Sequence, residues 1–354
     1  LESFYFSKLD LIYLHLKLRL IPSFYKKTFS DLNFSNFNKL DKNKRLLICQ
    51  KINISKGSFL DYLIYSIRQD FPISFVEKFQ EIDDSINGYI LKKKKIFTMV
   101  SHFFNERFKF WVAEMVSRGS SLYIVHHGGS LPPKLSLFLD HNQKISKKIL
   151  SWFNFKSKNF KQISPVQLKK YKFLKKNAGT KCLILSCETN RYPVRCQSWP
   201  YAEQYKLWFE EVCILVENFK KDIYENVTYR CVSDENGYGT IEKFKKKFKN
   251  LESTNIEAST LKEELTKTKI AICTYPDTPI ADCIISNVPT IIVFSKKLYR
   301  MNDNTKKLIK NLKKNNIFFE DPILASKHIN NIWENPQKWW QSKEIKSCIN
   351  QLRK

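Results

Sequence analysis

Two short stretches of this chain place titratable and hydroxyl side chains beside backbone that a ligand can approach. The first is His126-His127-Gly128-Gly129, which follows the apolar run Leu122-Tyr123-Ile124-Val125. An imidazole with an ordinary pKa of about 6.5 takes a proton near neutrality. Glycine removes the Cβ that would hold a substrate off the main chain. The second is Asp277-Thr278-Pro279, with Asp282 one turn further on. Thr278 before Pro279 reads as an N-cap and a first helical residue. Helix amides there would face a phosphate or carboxylate, and Asp282 would accept a hydrogen bond from a ribose or sugar hydroxyl. Each stretch also has an ordinary structural reading. The first would be a Gly-Gly turn whose histidine satisfies a buried carbonyl. The second would be simple capping, with Asp282 favouring the helix dipole.

The functional readings need the preceding apolar runs to be strands of a parallel sheet, because ligands bind beyond the carboxyl ends of such strands. The patterning supports this. Phe108, Trp111, Val112, Met115 and Val116 have the spacing of a helix buried on one side, Gly119 suits its C-cap, and 122–126 is dense enough for a strand covered on both faces. Further strands are expected at 45–50 and 96–100, with helices at 59–67 and 73–79. The second half alternates more regularly. Strands are expected at 181–187, 227–232, 255–258, 270–274 and 290–294, with helices at 201–220, 240–248, 261–267, 280–286 and 306–315 between and after them. That βαβ rhythm predicts a doubly wound parallel sheet. Closing helices are expected at 325–333 and 339–352, where Trp333, Trp339 and Trp340 need a surface to bury against.

At 354 residues the chain accommodates two domains of ordinary size. A stretch rich in Lys, Asn and Gln near 157–180 marks the boundary. The expected division is 1–165, 175–325, and closing helices over 326–354 packed at the junction. The opening at Leu1, inside an apolar-patterned segment, suggests that the first domain lacks its front end.

The net charge of +27 invites a nucleic-acid partner. Only ten of the 61 basic residues are arginine, however, and the lysines run through the whole chain with abundant Asn, Ile and Phe. This is compositional bias rather than a patch, and no nucleic-acid-binding motif is present. A basic surface near anionic lipid headgroups remains open. No apolar run reaches the roughly 18 residues that span a bilayer. The nine cysteines include no Cys-x-x-Cys and sit in apolar settings such as Cys49, Cys182, Cys187, Cys231 and Cys273. They read as small buried hydrophobes of a reducing cytoplasm, not as metal ligands.

Several segments together resemble a family. They are FPISFVEKF, KKIFTMVSHFFNERFKFWVAEMVSRGSSLYIVHHGG, Asp140-His141 followed by ISKKILSWF, NGYGTIEKF after Arg230, TYPDTPIADCIISNVPT, and NPQKWWQSKEIKSCI. In order and spacing they are similar to the spirochaete-type transferases of bacterial surface-carbohydrate clusters, over nearly the whole chain. That family resembles the GT-B glycosyltransferases. The resemblance implies two Rossmann-like domains facing across a cleft, with the acceptor held by the first and the donor nucleotide mainly by the second. It also makes His127 the matching histidine.

The expected activity is therefore transfer of a sugar from a nucleotide-activated donor to a polysaccharide, lipopolysaccharide or glycosylated surface protein. No Asp-x-Asp is present to bridge a metal and a diphosphate, so Thr278, Asp277, Asp282 and Arg230 are the donor-side candidates, without metal or cofactor. His127 is the favoured base, with Glu106 and Asp140 as carboxylate alternatives, and Gly128 and Gly129 give backbone approach. The expected location is cytoplasmic, with a peripheral contact at the inner membrane and a carbohydrate or lipid-linked acceptor. Two other readings stay open: a CDP-polyol phosphotransferase of cell-surface polymer synthesis, and a non-catalytic relative that binds sugar nucleotides.

Overall fold

The computed structural model describes residues 8–17, 40–48, 50, 55–87, 95–128, 137–151, 158–163, 179–186, 191–192, 202–232, 237–298 and 303–353. The chain divides into two compact units. The first comprises 1–127, 142–150 and 157–161; the second comprises 128–141, 151–156 and 162–354.

The first unit contains helices α1 (Lys8–Lys17), α2 (Lys42–Leu47) and α3 (Phe59–Asp70), a 3-10 turn at Ile73–Phe75, and α4 (Phe79–Asn87). Then come β1 (Lys95–Thr98), α5 (Ser101–Phe104), α6 (Glu106–Ser117), β2 (Ser121–Val125), α7 (Leu137–Ile145), β3 (Lys148–Ser151) and β4 (Phe160–Gln162). Helix α7 and the last two strands run across the division of the chain. The sheet order is β1-β2-β3-β4, with β1, β2 and β3 parallel. Among the described residues, its core cluster comprises Ile96, Phe108, Val112, Met115, Leu122 and Ile124, with Trp111 partly buried beside them. Val116, expected on the same helix face, is exposed. Gly119 takes φ +91°, and the amides of Gly119 and Ser120 donate to the carbonyls of Val116 and Met115. This is the paired closure of a helix end that only a left-handed residue permits.

The strand expected at 45–50 is instead helix α2, started by Asp41, whose side chain accepts from the Lys44 amide. The reason lies in Arg45, which is only 3% exposed. Its guanidinium forms a two-pronged ion pair with Glu77, Nε to Oε1 at 2.7 Å and Nη2 to Oε2 at 2.9 Å. It also donates to the carbonyls of Arg68, Gln69 and Phe71, the open end of α3. Donating to Glu77 and these carbonyls satisfies a buried guanidinium as few arrangements do. The helix expected over 73–79 is a single 3-10 turn that breaks at Val76 before α4 begins.

In the second unit the elements are β5 (Lys181–Leu185), α8 (Ala202–Glu217), α9 (Lys221–Tyr224), β6 (Val227–Arg230), α10 (Thr240–Lys247), β7 (Glu252–Thr254), α11 (Leu261–Lys267) and β8 (Thr268–Cys273). They continue with α12 (Thr278–Ile285), β9 (Thr290–Val293), α13 (Asp303–Lys314), β10 (Phe318–Phe319), α14 (Pro322–Ile332), α15 (Pro336–Trp340) and α16 (Lys343–Arg353). The six strands run in the order β10-β9-β8-β5-β6-β7, and every pair is parallel. Strands β6 and β9 are buried along their whole length, as both-sided coverage of a parallel sheet requires. The strand expected at 255–258 ends at Thr254, because the Asn255 side chain takes the amides of Glu257 and Ala258 into a turn. The single helix expected over 339–352 breaks at Ser342, whose hydroxyl accepts from the Ile345 amide at the start of α16. Trp333 and Trp340 are buried in the core, with Trp339 packed against it.

Cys182, Cys213, Cys231, Cys273, Cys283 and Cys348 are all buried free thiols. Burial pushes the Cys213 thiol up to about 11, so it packs as a neutral apolar group. Cys49 and Cys187 lie outside the described residues.

Candidate functional site

The strand order of the second unit marks one place for a ligand. The chain builds outward from β5 through β6 to β7, crosses back to β8, and then continues outward through β9 to β10. The reversal falls between β5 and β8, and a crevice opens beyond strand ends at such a switch point. Thr274, the first residue past β8, stitches the two strands there. Its amide and its hydroxyl both donate to the Leu185 carbonyl, at 3.1 and 2.8 Å. The buried residues Tyr275 and Pro276 then turn the chain into α12.

At the start of α12 the cap is Asp277 rather than Thr278. The Asp277 carboxylate accepts from the Thr278 amide at 2.7 Å and from the Thr278 hydroxyl at 3.1 Å. Pro279 has no N–H, and the Ile280 amide donates to the Asp277 carbonyl. The first turn is therefore engaged by Asp277, where the sequence pattern suggested open amides. Gly128, grouped with this unit, comes against the same turn. A Cβ built on Gly128 would stand 3.0 Å from the Thr278 hydroxyl and 3.7 Å from Asp277 Oδ1. Asp282 is 6% exposed, on the buried side of α12.

The far end of α12 is held as firmly. Asn287 takes φ +57°, and its amide and that of Val288 donate to the Ile284 and Cys283 carbonyls. The Asn287 side chain then accepts from Trp340 Nε1 at 3.2 Å. The closing helices thus brace the helix that carries Thr278.

Arg230, the last residue of β6, is buried. It donates from Nη1 to the Asn255 carbonyl and the Ser259 hydroxyl, and from Nη2 to the Ser259 carbonyl, at 2.7–3.0 Å. The side chain clamps the loop after β7.

In the first unit, His127 follows β2 and is exposed, and the His126 amide donates to the Leu150 carbonyl. Glu106 opens α6 and pairs through Oε1 with Lys109 at 2.5 Å. Gly129 lies outside the described residues, as does the Asp140 side chain; the Asp140 backbone belongs to α7.

The sequence reading missed a buried pair in this unit. His102, just past β1, meets Asn142 Oδ1 through Nε2 at 3.1 Å. Both side chains are buried. The signal available was positional, since a histidine follows β1 as others follow β2.

A third carboxylate went unread in the second unit. Glu211 on α8 accepts from the Ser295 amide at 3.3 Å, just past β9. Burial pushes its carboxyl up to about 7, against the opposing pull of that amide and of Lys297. A cavity of about 430 Å³ lies instead at the amino ends of the strands, among Lys181, Thr228, Glu252 and Lys267. Four of its charges pair with one another, Lys181 with Glu252 at 2.8 Å and Lys267 with Glu264 at 3.8 Å.

Comparison with known proteins adds the following. The family profile described as "LIC12162 family transferase" matches residues 1–354. No curated protein matches the chain. Among solved structures, TarM is 10% identical with a TM-score of 0.45; the match covers 77% of this chain and 54% of TarM, so the chain spans about half of that protein. A Listeria monocytogenes protein assigned as a UDP-N-acetylglucosamine 2-epimerase is 12% identical, with a TM-score of 0.45 and coverage of 84% and 80%. MurG of Acinetobacter baumannii is 8% identical, with a TM-score of 0.42 and coverage of 88% and 89%.

Proposed function

We propose that this chain, which belongs to the LIC12162 family of transferases, moves a sugar from a nucleotide-activated donor to a carbohydrate or lipid-linked acceptor. The observation that carries this reading is the strand reversal between β5 and β8, with the Thr274–Thr278 turn at its carboxyl end. A donor phosphate takes the place of the Asp277 carboxylate on the Thr278 amide and hydroxyl, and the dipole of α12 supports its charge. Asp277 is then released toward hydroxyls of the donor. Arg230 supports the site at a distance by fixing the loop after β7. His127 takes the proton of the acceptor hydroxyl as its oxygen bonds to the anomeric carbon. The bond from that carbon to the phosphate oxygen breaks, and the nucleotide leaves with the electron pair. The helix N-terminus carries the leaving charge in this reading, with no metal or cofactor assigned. The reaction is placed in the cytoplasm, peripheral to the inner membrane.

A thermal-shift panel of UDP, GDP, dTDP, CDP and CMP tests the donor half. A ligand at 100 times its dissociation constant stabilises by roughly 2.7 kcal/mol, and a flat panel overturns the reading. Two variants separate the roles. Thr278→Val is expected to weaken nucleotide binding. His127→Ala is expected to bind nucleotide normally and to lose about 10²- to 10⁴-fold in transfer. Full turnover without His127 would remove it as the base.

A further inference from the structure

The closing helices of the second unit meet its sheet edge through an imidazole in apolar company. His328 on α14 lies 5.5 Å from the Phe319 ring of β10, centroid to centroid. It meets the Trp339 ring of α15 edge to face, at 5.1 Å and 74°. His328 Nε2 is buried, as is Trp339 Nε1, and neither has a hydrogen-bond partner among the described residues. Trp339 packs in turn on Trp340, with centroids 5.5 Å apart, and Trp340 is the residue that bonds Asn287 at the end of α12. A chain of contacts therefore runs from His328 to the helix that carries Thr278. The charged groups on the surrounding elements are engaged elsewhere. Glu320, after β10, pairs with Lys313 of α13 at 2.8 Å. Asp321 caps α14, Glu211 of α8 accepts from the Ser295 amide, and Lys327, Glu334 and Lys338 are exposed. None of these forms an ion pair with His328, and burial alone pushes its imidazole below the ordinary value.

We infer that His328 is an acid-sensitive latch, whose protonation releases α15 and α16 from α14 and β10 and so loosens the end of α12 at Asn287. The neutral imidazole packs between Phe319 and Trp339 as an aromatic ring. The imidazolium brings a charge and a buried N–H to a place where Phe319 offers no acceptor and Trp339 only a second donor. Cation–π attraction to the two rings opposes that cost, and the downward shift of His328 shows that burial outweighs it. Acid therefore turns the ring outward or displaces Trp339. Helix α15 is only five residues long, so it depends on its packed tryptophans rather than on its own hydrogen bonds. The latch is closed above the unfolded histidine pKa of about 6.5 and weakens as pH falls below it. It deepens the proposed function as a control on the donor helix, and rests on that reading only for what α12 binds.

Hydrogen-exchange mass spectrometry of the whole chain at about pH 5.5 and about pH 7.5, corrected for the intrinsic pH dependence of exchange, tests the latch. Peptides covering 335–353 and the end of α12 near 284–288 are expected to open more at the lower pH. The increase is at most about tenfold, the ceiling for one group with an unfolded pKa of about 6.5. His328→Phe keeps an aromatic ring between Phe319 and Trp339 and should abolish the difference. His328→Leu takes its place if the phenylalanine variant does not fold. Equal opening of the wild type at both pH values would overturn the inference, as would an acid effect that survives in the variant. Acid opening confined to α15 and α16 would sever the link to α12 and overturn the control of the donor helix. The nucleotide panel, run at about pH 7.5 where the latch is closed, reports on the transferase reading whichever way the exchange behaves.

Discussion

The two units are held together by different means. The second has a continuous apolar core running from β5 to α16, with four central strands almost fully buried. Among the described residues, the first has a cluster of six buried apolar side chains at its sheet. In the helices before that sheet, Ile64, Ile82 and Ile86 share the interior with a buried guanidinium and its carboxylate. A large apolar core tolerates the loss of a polar detail, whereas helices packed around a buried ion pair depend on both partners at once.

The largest expected effects test that contrast directly. Trp340→Ala removes a side chain only 1% exposed together with its hydrogen bond to Asn287. It should cost about 3–5 kcal/mol, seen in hydrogen-exchange mass spectrometry as faster exchange confined to the second unit. Arg45→Met leaves Glu77 buried without its cation and should cost about 3–5 kcal/mol in the first unit. Adding Glu77→Leu should restore most of the loss, since an apolar pair often replaces a buried ion pair at little cost. A double variant as unstable as the single would mean that the carbonyls capped by Arg45 matter more than the pair.

Smaller effects sharpen the comparison through pH. The hydrogen bond from Arg45 holds the Glu77 carboxyl below its ordinary value, against the opposing cost of burial. The stability this gives is present above the unfolded pKa of about 4.3 and is lost as pH falls through the lower folded value. Glu211 behaves oppositely. Its carboxyl is raised to about 7, so its contribution is full below about 4.3 and is lost as pH rises toward 7. His328, whose imidazole burial pushes down, takes stability from the second unit as pH falls below about 6.5. Glu211→Gln should therefore gain over the wild type as pH rises from 5 to 8, by on the order of 1 kcal/mol after solvent screening. Urea melts at the two pH values would check this, and a pH-independent difference would place the effect elsewhere. The smallest expected effect is at the cap. Asp277→Asn keeps a good capping residue and removes a charge that competes with phosphate, so nucleotide affinity should rise a few-fold in calorimetry. A fall would show that Asp277 itself holds the donor.

The sequence made the second unit legible because strands β5, β8 and β9 are mostly apolar and its strands are separated by helices of ordinary length. Most boundaries there differ from expectation by a few residues. The short strands β3, β4 and β10 were missed because two to four residues in lysine-rich surroundings show no period. Strand 45–50 was misread since Leu46, Leu47 and Ile48 look like strand residues, while the Glu77 partner that makes a helix of them lies thirty-two positions away. At the candidate site, Thr278, Asp277 and Gly128 were named from local patterns, and the structure places them at one turn. The engagement of Arg230 was not legible, because Asn255 and Ser259 carry no sign of whom they will bind. His102 and Asn142 were missed for the same reason, being forty positions apart.

The central pairing of β5 with β8 also sets a timetable. Cys182 stands opposite Ile270 in the sheet, eighty-eight positions later in the chain. During synthesis at roughly 5–20 residues per second, β5 waits several seconds with one edge unclaimed. Strands β6 and β7 can cover its other edge meanwhile, but among the described residues no earlier strand of this unit pairs where β8 does. An apolar strand with a bare edge is a template for other chains. A product released before residue 268 would carry that edge permanently, and should be recovered as aggregate where the whole chain is recovered folded.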